Sequence, residues 1–458
     1  MRTSWSSSLA CLVVLGLAGC NDFLSDEEAA GNPNNPTTAP LNALFVGFQA
    51  GQFGVQEASL AEVTCEFVQA CTGIQRFSQD RGTYGFIDAD FNADWAQLYG
   101  GGGLNELRQV KATTEAAGDL VYAGIAKVWE AFIIGTAASI WGDIPYREAG
   151  PANPAPALDP QLQVYADLQL LLDEAIANLS SGQGAGPTAS DLVYAGNAAA
   201  WLEAAHTLKA RYYLHTAEVD PAGSYPAAIA AATLGISTPA NDFTAYHSAA
   251  SLEQNLWWQF EFLSGFGGDL VAGQFIVDLM VARADPRLAE YFGDADAVTP
   301  GAQYVGQSPN GPVPPSVSGL TGTRSTPEFR QPLVTWEENQ LILAEANFQV
   351  SGPGAALPFV NAVRAANGLA PKGSIASLNE VMEEKYISLY QNIEAFNDYK
   401  RTCYPTITPF PTATYNNRVP GRLFYAQGEE NVNPNVPDVA TQLATRESRN
   451  ANDPLPCP

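Results

Sequence analysis

Apolar residues recurring every three or four positions constrain this chain more than any other feature. Leu162, Tyr165, Leu168, Leu172, Ile176 and Leu179 mark one stripe of an amphipathic helix. Leu378, Val381, Met382, Leu389, Ile393 and Phe396 repeat the pattern, with one basic interruption at Lys385. The same spacing predicts helices over about 41–52, 104–117, 120–141, 191–217, 224–235, 268–282, 336–350 and 355–367, and strand-like alternation is scarce. Two pairs are joined by short turns: 191–217 with 224–235 across Asp220-Pro221, and 336–350 with 355–367 across Ser351 to Gly354. Ala-rich faces let such helices approach closely. The predicted fold class is therefore mainly α, a tetratricopeptide-like solenoid of helical pairs with a loop-rich irregular lobe. Long Pro- and Gly-bearing segments at about 283–335 and 402–458 are where a rigid helical scaffold carries its binding surfaces.

Ahead of the helices, Arg2 leads into an apolar run from Leu9 to Ala18, closed by Leu17-Ala18-Gly19-Cys20. Small residues beside a cut, followed by a thiol that can carry lipid, form the pattern that a bacterial lipoprotein signal peptidase reads. The run is about half the length that a membrane-spanning helix needs, so the chain is expected to be tethered and not threaded. The expected organisation is a signal peptide over 1–19, a lipidated flexible tether over 20–40 with acyl chains such as palmitate on Cys20, and a single helical domain over 41–458. The tether expectation rests on the acidic cluster after Ser25 and the Asn/Pro tract from Gly31 to Pro40, which cannot form a regular element.

A hydrophobic content of 46% against 15% charged residues suits a chain that buries a large core. The net charge of −26 repels polyanions, which makes nucleic acid a poor partner and leaves neutral ligands unhindered. Once Cys11 leaves with the signal and Cys20 is acylated, Cys65, Cys71, Cys403 and Cys457 remain. Three disulfide connectivities are open to them, and pairing Cys65 with Cys71 and Cys403 with Cys457 is favoured. The second bridge would pin the Pro-rich tail, worth ~4 kcal/mol by loop entropy. A zinc site is the competitor, but no C-x2-C pair is present.

The helix ending at Trp141 is followed by Gly142-Asp143-Ile144-Pro145-Tyr146. Glycine can take a left-handed conformation at the helix end and Pro145 forbids the helix from resuming, so Trp141 and Tyr146 read first as core and corner residues. The run Trp141 to Tyr146 also resembles the signature of the SusD/RagB family of outer-membrane nutrient-binding lipoproteins. The resemblance continues in order through Tyr194 to Asn197 with Trp201, Leu208 to His215, Asp285-Pro286-Arg287-Leu288, Leu341 to Ala346 and Phe359 to Arg364. It closes with Asn397 to Thr402, Tyr404-Pro405, Arg422 to Tyr425, and Glu429 to Asn431. Cys403 stands where that family more often has Gly, and Ala426 where it has Pro. What the resemblance implies is a surface lipoprotein of the outer membrane, facing the extracellular side. It would bind oligosaccharides or similar oligomeric nutrients and act as a hinged lid on a SusC-like TonB-dependent barrel. The acidic residues Asp26 to Glu28 are similar to the export signals of such lipoproteins.

Sugars are gripped by flat aromatic faces, with amides and carboxylates fixing the hydroxyls. The densest such stretch is Asn255, Trp257 and Trp258 with Phe260, Phe262 and Phe266, just upstream of the Asp285-Pro286 turn. Adjacent Trp257 and Trp258 cannot both face one way on regular structure, so one of them is expected in the core. Tyr304 and Asn310, in a Pro/Gly loop, complete the candidate ligand surface, whereas Trp95 and Tyr99 at i and i+4 read as one buried helix face. Asp88, Asp90, Asn92 and Asp94 alternate like the start of a calcium loop, but Ala93 and Tyr99 occupy the positions that need Gly and Glu; a helix N-cap explains Asp94 more simply. No cofactor is expected, with calcium at Asp88 to Asp94 kept as the alternative. His206 and His215 fall on opposite helix faces and His247 stands alone. Glu337-Glu338 and Glu383-Glu384 splay by about 100°, the wrong geometry for two carboxylates facing across a glycosidic bond. Gly100 to Gly103 lacks the Lys of a phosphate loop, and no nucleophile or metalloprotease motif occurs. The chain is thus expected not to be an enzyme. An α-helical glycoside hydrolase and a peptide-binding or protein-docking scaffold are the alternatives.

Overall fold

The computed structural model describes residues 39–296, 298–299, 301–446 and Cys457. The signal sequence and Cys20 lie outside the described residues. At the centre is the helix Leu120–Trp141, in which every side chain after Leu120 is buried. By length and mean hydropathy this helix could cross a membrane, but 94% of that stretch is buried inside this protein, which makes it a core helix. Asp119 caps its start, accepting the Tyr122 N–H at 3.0 Å. Its end is Gly142, at φ +85° and ψ −115°; the positive φ was anticipated, but the ψ takes it out of the left-handed helical well.

Neighbouring helices pack in chain order. Leu104–Ala116 and Gln161–Ser181 flank the core helix, Ala198–His215 follows, and Pro221–Ala232, Trp336–Ser351, Pro353–Ala366 and Leu378–Ser388 continue the array. The fold is mainly helical and tetratricopeptide-like. Small residues set the spacing. A Cβ on Gly135 would lie 2.1 Å from the Tyr212 hydroxyl oxygen, which donates to the Ala131 carbonyl at 2.8 Å. Two short antiparallel ladders stitch the loops to this body: Cys71–Gly73 with Leu270–Ala272, and Phe243–Thr244 with Pro332–Val334.

Several expected boundaries move for identifiable reasons. Residues 191–197 are a turn and the helix begins at Ala198, because the Asn197 side chain caps Ala199 and Ala200. Pro221 opens its helix at the first position, capped by Asp220, so that helix spans Pro221–Ala232. The stretch 268–282 divides into the strand Leu270–Ala272 and the helix Gln274–Ala282, since Gly273 lies against the Gln69 carbonyl. The stripe from Leu378 to Phe396 is two helices, Leu378–Ser388 and Glu394–Thr402, broken where Gln391 takes φ +61°. Leu60–Phe67, Arg76–Gly82 and Leu256–Phe262 are short helices with no periodic signal of their own. The structure joins Cys65 to Cys71 and Cys403 to Cys457, with Cα atoms 5.3 and 5.2 Å apart. Cys403 itself sits at φ +55°, the left-handed helix end that glycine adopts without strain.

Lys385, the lone basic residue on its stripe, is buried between Glu345 at 3.3 Å and Asp398 at 2.9 Å. Arg401 holds the same Glu345 through two bonds of 2.7 and 3.0 Å. Burial pushes the Glu345 carboxyl up, but Arg401 and Lys385 outweigh it and hold it well below the usual carboxylate range. A depressed carboxylate stabilises the fold above its unfolded value and loses that contribution as pH falls through the folded one. Glu345→Ala leaves two buried cations sharing Asp398 as their remaining buried carboxylate and should cost about 3–5 kcal/mol in urea unfolding at pH 7. The wild-type advantage should shrink steadily once the pH drops below about 4.

Candidate functional site

The aromatic cluster rests on the helix Leu256–Phe262. Asn255 starts it, accepting the Trp258 N–H at 3.0 Å and donating to the Phe329 carbonyl at 3.1 Å. Its amide is thus committed to holding the helix. Trp257 and Phe260, three residues apart, enter the core at 5% and 9% exposure. Trp258 and Phe262, four apart, lie on another side with ring centroids 5.5 Å from each other, and Phe262 is 51% exposed. Of the two tryptophans, Trp258 is therefore the less buried, half-covered beside the exposed Phe262. Leu263, 59% exposed, extends the apolar strip.

Phe266 is half-buried, at 5.1 Å from Phe77 and 6.2 Å from Phe260. The Arg76 guanidinium covers it at 4.9 Å while gripping Asp269 through both nitrogens and the Gly265 carbonyl at 3.0 Å. That clamp fixes the loop which follows the helix. Tyr304 is half-buried against the core, and Asn310 donates to the Thr408 and Pro409 carbonyls at 2.9 and 3.4 Å. Asn310 consequently holds the C-terminal loop instead of presenting a free amide. The structure brings Trp258 to Phe262 and Phe266 to Phe77; it ties the 304–310 loop to the same small ladder through Gln307, whose carbonyl accepts from Gln274 and Thr72.

Sequence reasoning missed the groups behind the helix. Gly54–Ser59 is a π-helical turn that places Glu57 in the interior. Its carboxylate accepts the Leu256 N–H and pairs with His247 Nε2 at 2.7 Å. The other ring nitrogen of His247 contacts the Glu253 carbonyl at 3.1 Å. Burial raises the Glu57 carboxyl, and His247 and the Leu256 N–H offset only part of that rise. A signal was present: Glu57, Glu62 and Glu66 stand in an apolar stretch from Gln52 to Ala70 that has no Lys or Arg, so they need partners from elsewhere.

Other candidates resolve into structure. Trp95 is buried 4.9 Å from Tyr99 and 5.3 Å from Trp141. The Trp141 indole donates to the Phe424 carbonyl at 2.8 Å. Asp94 lies inside the first turn of Asn92–Tyr99, whose N-cap is Phe91, and accepts from Ser59 at 3.0 Å; burial lifts it to about 6. The N-cap reading of Asp94 therefore does not hold. Among the described residues no group of three His, Cys, Asp or Glu side chains could hold a metal ion. Arg283 takes both Glu383 and Glu384 at 2.6 Å, Arg211 takes Glu338 at 2.6 Å, and Glu337 accepts from Asn367 at 2.6 Å.

The class of protein defined so far is a helical solenoid that carries Trp258 and Phe262 together on one short helix. Residues 33–426 match the SusD-like family described as "Starch-binding associating with outer membrane", and the chain belongs to that family. Its fold is similar to that of a chitin-binding protein (TM-score 0.75, 21% identity, 91% of this chain and 100% of the other). It is also similar to a SusD-like protein from Bacteroides thetaiotaomicron VPI-5482 (TM-score 0.74, 21%, 90% and 97%) and to a chitin-binding SusD homologue from Flavobacterium johnsoniae (TM-score 0.74, 17%, 90% and 99%). At these identities the likeness is one of fold. No curated protein matches the chain in sequence.

Opposite placement of the two tryptophans gives an experimental contrast. Trp257→Ala should cost about 3–5 kcal/mol in chemical denaturation, as a large core truncation does. Trp258→Ala should cost under about 1 kcal/mol.

Proposed function

We propose that this protein is a lipid-anchored binding protein of the outer membrane, displayed on the extracellular side, that captures oligosaccharides by contact alone and passes them to a SusC-like TonB-dependent barrel. Trp258 and Phe262 form the platform against which a sugar face stacks. The outward aromatic pair on an immobilised helix, in a SusD-like scaffold, is the observation that carries this reading. An immobilised platform limits the ordering cost of binding. Family membership and the small residues before Cys20 support the membrane tether, and the named chitin-binding structural relatives make chitin-type and starch-type oligomers the first ligands to try. The carboxylate pairs weighed for hydrolysis are engaged by arginine or asparagine, which favours binding without turnover.

Isothermal titration of the mature protein against maltooligosaccharides, N-acetylglucosamine oligomers and neutral peptides tests the reading. A glycan should bind, Trp258→Ala should weaken it about tenfold, and no reducing ends should accumulate. Binding of peptides alone would replace the glycan reading with the peptide-scaffold one, and release of reducing ends would replace it with hydrolysis. Mass spectrometry of the mature amino terminus should find diacylglycerol on Cys20, and the protein should co-purify with a barrel.

A further inference from the structure

The last turn of the core helix, the first residue of Gln161–Ser181, the last residue of Ala198–His215 and the helix Glu394–Thr402 converge on one small internal cavity, about 10 Å³ in volume. Its walls are polar. Three of the residues on them, Gln161, Asn397 and Arg401, are 3%, 2% and 8% exposed, and each has a polar atom with no protein partner.

Gln161 Nε2 donates to the Ala138 carbonyl at 2.7 Å, while Gln161 Oε1 meets no donor. Asn397 Nδ2 donates to Glu394 at 2.7 Å and to the Ser139 hydroxyl at 3.2 Å, and Asn397 Oδ1 likewise meets none. Neither amide can be turned over, because its oxygen would then face a carbonyl or a carboxylate. The two end nitrogens of Arg401 are taken by Glu345, and the Nε–H is left over. Two acceptors and one donor therefore meet in the interior, where polar groups are costly until they are paired.

The geometry points to a binding site for a single, tightly held water molecule, which accepts the Arg401 Nε–H and donates its two protons to Gln161 Oε1 and Asn397 Oδ1. A buried water needs roughly 10–15 Å³ and two to four polar partners, and this cavity meets both conditions. A sodium or potassium ion would find the two amide oxygens but would sit beside the basic side chains of Lys400 and Arg401. A halide would find those side chains but face both oxygens. An apolar guest would leave all three groups unpaired. Water alone brings one acceptor and two donors at this size.

The water then joins two parts of the molecule: Gln161 belongs to the solenoid, and Asn397 and Arg401 to the helix that leads into the C-terminal loops. The Cys403–Cys457 bridge and the Thr408 and Pro409 carbonyls that hold Asn310 follow directly from that helix, so the water steadies the base of the irregular lobe.

Crystals of the mature protein, grown once with rubidium and once with bromide, test the site. One peak is expected within hydrogen-bond reach of Gln161 Oε1, Asn397 Oδ1 and Arg401 Nε, with no anomalous scattering from either ion. Gln161→Met keeps the length of the side chain but offers no amide oxygen, so its crystals should lose the peak and its unfolding midpoint in urea should fall. Oxygen-17 relaxation in solution should count one long-lived water fewer in Gln161→Met than in the wild type. An anomalous signal from either ion at the site, no peak there in the wild type, or an unchanged count of long-lived waters in Gln161→Met would overturn the inference. Should Gln161→Met fail to fold, the wild-type crystals decide alone, and none of these results depends on glycan binding.

Discussion

The helix Leu120–Trp141 buries side chains around its whole circumference, and so it must be enclosed on every side. Enclosure dictates the architecture: Leu104–Ala116, Gln161–Ser181 and Ala198–His215 each press against it, and the rest of the array grows outward from them. Close approach in turn demands glycine where Tyr212 and Leu179 cross it, at Gly135 and Gly124. The far end of the same helix anchors the irregular lobe. The Trp141 indole donates to the Phe424 carbonyl, the Leu423 N–H donates to the Ile140 carbonyl, and the Tyr425 hydroxyl reaches the Asp143 carbonyl at 2.6 Å. A loop-rich segment that could not fold by itself thereby inherits rigidity from the core.

Where the later helices meet, the joints are ionic. Arg211 with Glu338, and Lys385 and Arg401 with Glu345, are buried pairs. Such pairs contribute little net stability over well-packed apolar residues, yet each tolerates only one arrangement of its helices, because a shifted register would strand a charge. They also withdraw cations from the exterior of a chain that has few of them, which leaves the surface acidic.

Much of this was legible in the sequence. Leu120–Trp141 reads correctly at both ends because Asp119 and Gly142 punctuate a mostly apolar run interrupted by charge only at Lys127 and Glu130. The helical class follows from periodicity, and the rule that neighbouring residues on a helix point about 100° apart separates Trp257 from Trp258 without saying which is inside. That choice depends on where the helix starts, and seven residues give no periodicity to fix it. The pairing of Glu57 with His247 spans 190 residues, and the break at Gln391 is a backbone conformation enforced by tertiary contacts; neither leaves a local trace. Lys385 looked like a blemish on an apolar stripe because its two partners come from other helices.

A seven-residue helix is too short to persist alone in water. The platform helix therefore owes its existence to three holds: the Asn255 cap, the Glu57 carboxylate on Leu256, and the Trp257 and Phe260 side chains in the core. All three act on its buried side and start. None involves the side chain of Trp258 or Phe262. The outward face is consequently free of structural duty, so its side chains can change to suit a different cargo while the scaffold keeps its shape. The inward face has no such freedom, since loosening any one hold releases the rings as well. Separating the residues that bind from those that position them is what lets one helical body present different surfaces without refolding.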